Sequence, residues 1–156
     1  EWHQAVDLVL LSAVYFAREV LPRMLERHWG RLIFMTSMSV KQPIDGLLLS
    51  NSLRAGVAGL AKTLANEFGK ANILVNTVCP GYTLTERLGE LAGAQALAAG
   101  VSAEEIYRRW AASVPLQRLG KPEELAALVV FLASEKASYL NGTTIAVDGG
   151  YVKGLL

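Results

Sequence analysis

The chain has 156 residues, a formal net charge of +1 and 52% hydrophobic residues. That is enough for one ordinary domain with a real core. Its scattered, nearly balanced charge excludes the basic field that draws a protein to nucleic acid or anionic lipid.

Cys79 is the lone cysteine, which excludes an internal disulfide and fits a reducing, cytoplasmic setting. His3 and His28 lie far apart and form no metal-ligand pattern, so no metal is expected. The longest apolar run, Leu8 to Ala17, is about half of a bilayer span and reads as a buried helix, so no membrane partner is expected. It is no secretory signal either, because an acidic stretch precedes it.

In chain order, residues 1–27 read as one long helix, apolar at its centre on nearly every face, with Pro22 as a candidate kink. The chain begins at Glu1 without Met, already inside this helix, so further residues are expected before Glu1 in the parent polypeptide. "RLIFMTS", Arg31 to Ser37, is a short β-rich run and reads as a buried strand. "VKQPIDG" is a loop. A second helix spans roughly Leu47 to Lys70, with Ala55, Gly56, Ala58 and Gly59 permitting close helix approach.

"ILVNTVC", Ile73 to Cys79, is a second buried strand stopped by Pro80-Gly81. Thr83 to about Pro115 is Ala-rich, mixes in Gly and charge, and is expected to form helices in a mobile segment. "KPEELAALVVFLAS" is a third helix, with Pro122 suited to its first turn and Glu123 and Glu124 to its positive end. Thr143 to Val147 is the last strand, ending in Asp148-Gly149-Gly150. Trp2, Trp29 and Trp110 read as packing residues. Strands separated by helices of this length imply parallel pairing through crossovers. Three strands make about half of a doubly wound α/β sheet.

In open parallel sheets, ligands bind beyond the carboxyl ends of the strands. That rule selects Thr36–Ser39, Cys79–Glu86 and Asp148–Gly150. Ser37 and Ser39 offer hydroxyls there. Pro80 and Gly81 turn the backbone, and Thr83 and Thr85 offer hydroxyls and amides to an amide or phosphate. Taken singly, each has an ordinary explanation as a cap or a turn. Tyr82, Lys41 and Cys79 read as a packing aromatic, a solvated lysine and a core thiol.

Taken together and in order, these segments resemble the C-terminal part of the short-chain dehydrogenase/reductase family. "WGRLIFMTSMS" is similar to the family's strand ending in the catalytic serine, "ANILVNTVCPGYTLTE" to its Val-Asn…Pro-Gly…Thr segment, and "PLQRLGKPEELAALVVFLASEKASYLNGTTIAVDGG" to its C-terminal signature. The resemblance implies the C-terminal half of a Rossmann-type doubly wound sheet, a single partial domain over residues 1–156. It implies NAD or NADP as cofactor in the full-length parent, a small carbonyl or alcohol substrate, and a homodimer or homotetramer. The family's Gly-rich phosphate loop and its Asn-Asn-Ala-Gly stretch have no counterpart here.

The family's catalytic set is Asn, Ser, Tyr and Lys. The serine matches Ser37. At the family's spacing the Tyr falls on Ser50 and the Lys, one helical turn on, on Arg54; the Asn falls on Val9. A phenol with an ordinary pKa of about 10 can be drawn toward neutrality by a nearby cation. A serine hydroxyl cannot, and an arginine stays protonated. The resemblance therefore implies a divergent oxidoreductase. In it Ser37 binds a substrate oxygen, Ser50 bonds weakly or passes a proton through water, and Arg54 grips the nicotinamide ribose. Pro80, Gly81, Thr83 and Thr85 shape the cofactor side. The competing expectation is a non-catalytic dinucleotide-binding or scaffold subunit; a weaker one is an inactive fragment.

Overall fold

The structure, a computed structural model, describes residues 1–155. Its first helical stretch is continuous but not uniform: α1 (Trp2–Ala5), a π-helical segment (Val6–Leu11) and α2 (Ser12–Arg27) follow one another directly. Sequence reading placed a candidate kink at Pro22. The helix runs through Pro22, and the departure from α geometry lies earlier, where Ser12 Oγ donates to Leu8 O at 2.6 Å. A hydroxyl bonded back to the preceding turn competes with the backbone ladder at that point. His28, left-handed at φ 50°, ends α2.

Three strands follow: β1 (Gly30–Met35), β2 (Ile73–Pro80) and, near the end, β3 (Thr144–Val147). They form one sheet in the order β1-β2-β3, both pairings parallel. β2 is central and buried from Ile73 through Cys79; its apolar residues fit a strand covered on both faces, and the polar Asn76 is buried there with its amide bonded. β1 is shorter than the sequence implied. Ser37 leaves the ladder to cap a 3-10 turn, Met38–Val40, accepting from Ser39 N at 3.1 Å.

One face of the sheet is covered by α2 and by α3 (Leu48–Phe68). Ala17 and Leu21 of α2 and Val57, Ala61, Leu64 and Ala65 of α3 meet Phe34, Ile73 and Val75. The buried positions of α3 recur at helical spacing, so one stripe faces the strands. The other face is covered by α6 (Pro122–Ala133) and a 3-10 turn, with Val78, Leu132 and Ala137 at its centre. Asparagine amides fasten β2 to the approach to β3. Asn76 Nδ2 donates to Leu140 O at 2.9 Å while its Oδ1 accepts from Thr143 N at 3.1 Å. Asn141 Oδ1 accepts from Val75 N at 2.9 Å, and its Nδ2 donates to Ala65 O at 3.0 Å.

Between β2 and α6 stand α4 (Glu86–Ala99) and α5 (Ala103–Ser113). They carry a core of their own, Leu88, Ala92, Ala96, Ile106 and Trp110, separate from the clusters on the sheet. Of the tryptophans, only Trp110 is a core residue. Trp29 is part-exposed, donates to Glu135 and lies under the Arg31 guanidinium, while Trp2 is half-exposed.

Candidate active-site crevice

Beyond the carboxyl ends of β1 and β2 the structure opens a crevice of about 490 Å³. Its floor comes from three elements. The end of β1 contributes Thr36 and Ser37, the first turns of α3 contribute Ser50 and Arg54, and the end of β2 contributes Pro80 and Gly81. Thr83 and Thr85, leading into α4, line it too, so Ser37, Ser50, Arg54, Pro80, Gly81, Thr83 and Thr85 border one space, whereas Ser39 is buried beside it and Asp148 and Gly149 line a different cavity. Sequence reasoning missed the apolar wall opposite: Leu47, Leu88, Leu91 and Leu125. Leu47 precedes α3, Leu88 and Leu91 lie on α4 and Leu125 on α6, and no local pattern signals that these segments converge.

Arg54 organises the floor. Its Nε donates to Ser50 Oγ at 3.1 Å, and its Nη1 donates to the Thr36 carbonyl at 3.1 Å. One guanidinium thus joins α3 to the last residue bonded along the β1–β2 seam, where Thr36 N donates to Val78 O at 2.9 Å. Among the described residues Nη2 of Arg54 has no hydrogen-bond acceptor, and no carboxylate lies within ion-pair distance of this side chain. Burial lowers its pKa from the ordinary arginine value, the signature of a charge without a counter-ion.

The hydroxyls divide into two kinds. Ser37 Oγ accepts from Ser39 N, and Ser50 Oγ accepts from Arg54, so both keep a proton free to donate. The threonines are spent within the turn. Thr83 Oγ1 donates to Gly81 O at 3.3 Å, and Thr85 Oγ1 donates to Thr83 O at 3.4 Å while capping α4 by accepting from Leu88 N at 3.3 Å. What Thr83 and Thr85 offer a ligand is therefore a fixed backbone path more than a free hydroxyl. Gly81 is held against the β3 turn: its N donates to Val147 O at 2.9 Å, and a Cβ there would lie 2.6 Å from Asp148 Cα.

Cys79 lies beneath this floor, fully buried, with its Sγ 3.1 Å from Thr36 Oγ1. Burial pushes the thiol pKa up, which suits a packing group and not a nucleophile. Tyr82 is turned away from Ser37. It stacks on Trp110 with ring centroids 5.0 Å apart, meets Tyr151 edge-on, and borders a second, smaller cavity with Arg118 and Asp148. Burial and then Tyr151 push its phenol up to about 12, so it is a poor proton donor at neutral pH.

Among the described residues the only ionisable side chains lining the main crevice are Arg54 and Arg87. A guanidinium offers N–H donors and no acceptor. The crevice can donate hydrogen bonds and hold negative charge, and it contains no side chain of its own suited to general acid–base exchange.

Comparison with known proteins agrees with this architecture. The family model described as "Enoyl-(Acyl carrier protein) reductase" matches residues 1–152. The 3-oxoacyl-[acyl-carrier-protein] reductase FabG of Aquifex aeolicus and the acetoacetyl-CoA reductase of an Acinetobacter species are each 33% identical over 150 residues. Each match covers 96% of this chain and 56% of the relative, so the chain spans about half the length of these proteins. The crystal structure of L-sorbose reductase from Gluconobacter frateurii, complexed with NADPH and L-sorbose, superposes with a TM-score of 0.91 at 35% identity. That match covers 99% of this chain and 59% of the reductase. The parallel sheet with helices on both faces is thus part of a Rossmann-like α/β fold, and the chain belongs to the short-chain dehydrogenase/reductase family.

Proposed function

We propose that the full-length protein is an oxidoreductase that uses NAD or NADP to interconvert a small carbonyl compound and its alcohol in the crevice above Ser37, Ser50 and Arg54. The observation that carries this reading is the donor set itself: two serine hydroxyls with free protons and an open guanidinium nitrogen, all at the carboxyl ends of parallel strands. A nicotinamide cofactor fits these residues, because the uncommitted Nη2 of Arg54 suits ribose hydroxyls. When bound, the cofactor supplies the hydride. Ser37 then donates to the substrate oxygen, and Ser50 hydrogen-bonds weakly to the ligand or relays a proton from water. Pro80, Gly81, Thr83 and Thr85 hold the backbone wall on the cofactor side. Ser50 and Arg54 stand in this reading for a Tyr and a Lys.

The exposed face of α2 and α3, with Tyr15, Phe16, Ala55 and Gly59, supports packing of two copies into a homodimer, or a homotetramer through a further surface. A second reading is a binding or scaffold subunit without turnover. It is favoured by one observation: among the described residues no phenol, lysine, histidine or carboxylate lines the crevice.

Cofactor titration of the full-length protein, followed by a carbonyl and alcohol panel, separates the two. Binding with turnover supports the oxidoreductase. Saturable binding with no turnover on any member of the panel supports the subunit.

A further inference from the structure

The charge in the crevice is one-sided. Arg54 and Arg87 line it, and among the described residues no Asp or Glu does. Arg87, at the rim and exposed, is already bonded to Glu90 at 2.7 Å. Arg54 is part-buried and has no such partner among the described residues, so its charge is the unsatisfied one. Leaving a part-buried cation unpaired is unfavourable, and a ligand that supplies the anion recovers that cost.

The neighbouring hydroxyls have the matching polarity. An arginine N–H can only donate, so the hydrogen bond from Arg54 fixes Ser50 Oγ as its acceptor and turns the serine proton elsewhere. Ser39 N does the same to Ser37 Oγ. Nη2 of Arg54 itself carries two N–H groups, enough for a ribose hydroxyl and for one further acceptor. The leucines opposite offer room and contact for a short alkyl or carbon-chain segment.

We infer that the substrate of this crevice is a small oxo or hydroxy acid, whose carboxylate is held by Nη2 of Arg54 and the Ser50 hydroxyl while Ser37 donates to its carbonyl or alcohol oxygen. This rests on the reading of the crevice as the reaction site and adds to it the class of substrate. It also gives the arginine a purpose that a lysine serves less well, because a planar guanidinium can hold Ser50, Thr36 and a carboxylate at once.

The test is made on the full-length protein without added cofactor. Binding of 2-oxobutyrate, of its uncharged analogue 2-oxobutyramide and of inorganic phosphate is followed by calorimetry and by the Arg54 Nε–H resonance. A charge-assisted hydrogen bond to a part-buried cation predicts that the acid binds at least about tenfold more tightly than the amide. The acid should also bind more tightly than phosphate, and its binding should shift the Arg54 resonance. Arg54→Gln should bring acid and amide to within about twofold of one another, and Ser50→Ala, which leaves the cation in place, should cost the acid several-fold.

Equal binding of acid and amide by the wild-type protein overturns the inference, as does an acid preference that survives Arg54→Gln. So does no binding of the acid. Tighter phosphate than carboxylate would assign Arg54 to a phosphate of the cofactor instead. If Arg54→Gln does not fold, Ser50→Ala and the wild-type resonance shift decide. Turnover of neutral carbonyls with no acid preference removes this inference alone; acid binding at Arg54 without turnover removes the oxidoreductase reading alone.

Discussion

Arg54 and Ser50 are bound to each other: Nε of the arginine donates to Oγ of the serine across 3.1 Å, one helical turn apart on α3. The pair is also tied to β1, through Nη1 and the Thr36 carbonyl. Neither member can therefore be exchanged alone without freeing the other.

Exchange of both gives the first prediction. Ser50→Tyr with Arg54→Lys in the full-length protein introduces a phenol with a cation one turn away, the arrangement that draws a phenol toward neutrality. If proton supply limits reduction, carbonyl reductase activity should rise, by up to about 10²–10⁴-fold for a positioned general acid. The pH profile should change with it. The parent, in which no phenol, histidine or carboxylate lines the crevice among the described residues, should show a flat profile through neutrality. The double variant should lose activity as rising pH deprotonates the phenol. Intact cofactor binding with no gain in rate would rule out the phenol as the missing part.

The second concerns α4 and α5. Their core is separate from the two that clamp the sheet. A unit with its own small core opens at lower free energy than the elements it covers. Amides of these two helices should exchange with deuterium faster than those of β2. Protection equal to that of Val75 and Val78 would contradict it.

The third is a dependence on acid. Arg118 grips Glu124 with both guanidinium amines, at 2.8 and 2.6 Å, and Lys121 N donates to the same carboxylate at 2.8 Å. The Arg118 hydrogen bonds and that backbone donor lower the Glu124 pKa to about 2. A depressed folded-state pKa contributes stability that is complete above the ordinary carboxylate range and is lost as pH falls through the folded value. The stability gap between wild type and Glu124→Gln should therefore narrow as pH is lowered from about 6 to about 2. The pair is exposed, so added salt should narrow the gap at neutral pH as well. Urea midpoints measure both effects.

The fourth is steric. A methyl group at Gly81 would meet Asp148 Cα at 2.6 Å and Cβ at 2.7 Å. The obstruction is partly backbone, so it cannot swing aside. Gly81→Ala should cost about 1–3 kcal/mol of stability. It should also part the ends of β2 and β3, weakening ligand binding in the crevice. A variant as stable as wild type in urea would show that the Asp148 turn yields freely.

Much of this was legible in the sequence, for identifiable reasons. β2 announces itself because a strand covered on both faces is largely apolar and β-branched, and α6 because Pro122 and Glu124 stand where a helix start wants them. Ser37, Pro80, Gly81, Thr83 and Thr85 are candidates because they follow strands, whereas Ser50 and Arg54 lie inside α3 and are picked out only by the family's spacing. The packed core of α4 and α5 was not. Ala92 and Ala96 are buried there but are also what a mobile linker uses, and Trp110 closes the cluster from another helix. The fate of each hydroxyl was hidden as well. Whether Thr85 faces a ligand or caps a helix depends on the path of the turn between Gly81 and Glu86, which composition does not encode. The π-helical segment Val6–Leu11 carries no sequence signal as plain as Pro22, because it depends on how Ser12 bonds back to Leu8.

The amides of Asn76 and Asn141 carry a consequence for how the molecule assembles. The bond from Val75 N to Asn141 Oδ1 closes a sequence separation of 66 residues, and that from Asn76 to Leu140 closes 64. No local segment can make this seam; it forms only when the end of the chain returns to a strand laid down near its middle. Closing so long a loop carries an entropic cost before any contact repays it, and such nonlocal pairing slows folding. The crevice inherits that timing. Gly81 is fastened to Val147 across the same seam, so the Pro80–Thr85 wall of the crevice depends on the docking of β3, while Arg54, Ser50 and Thr36 are joined through α3 and β1.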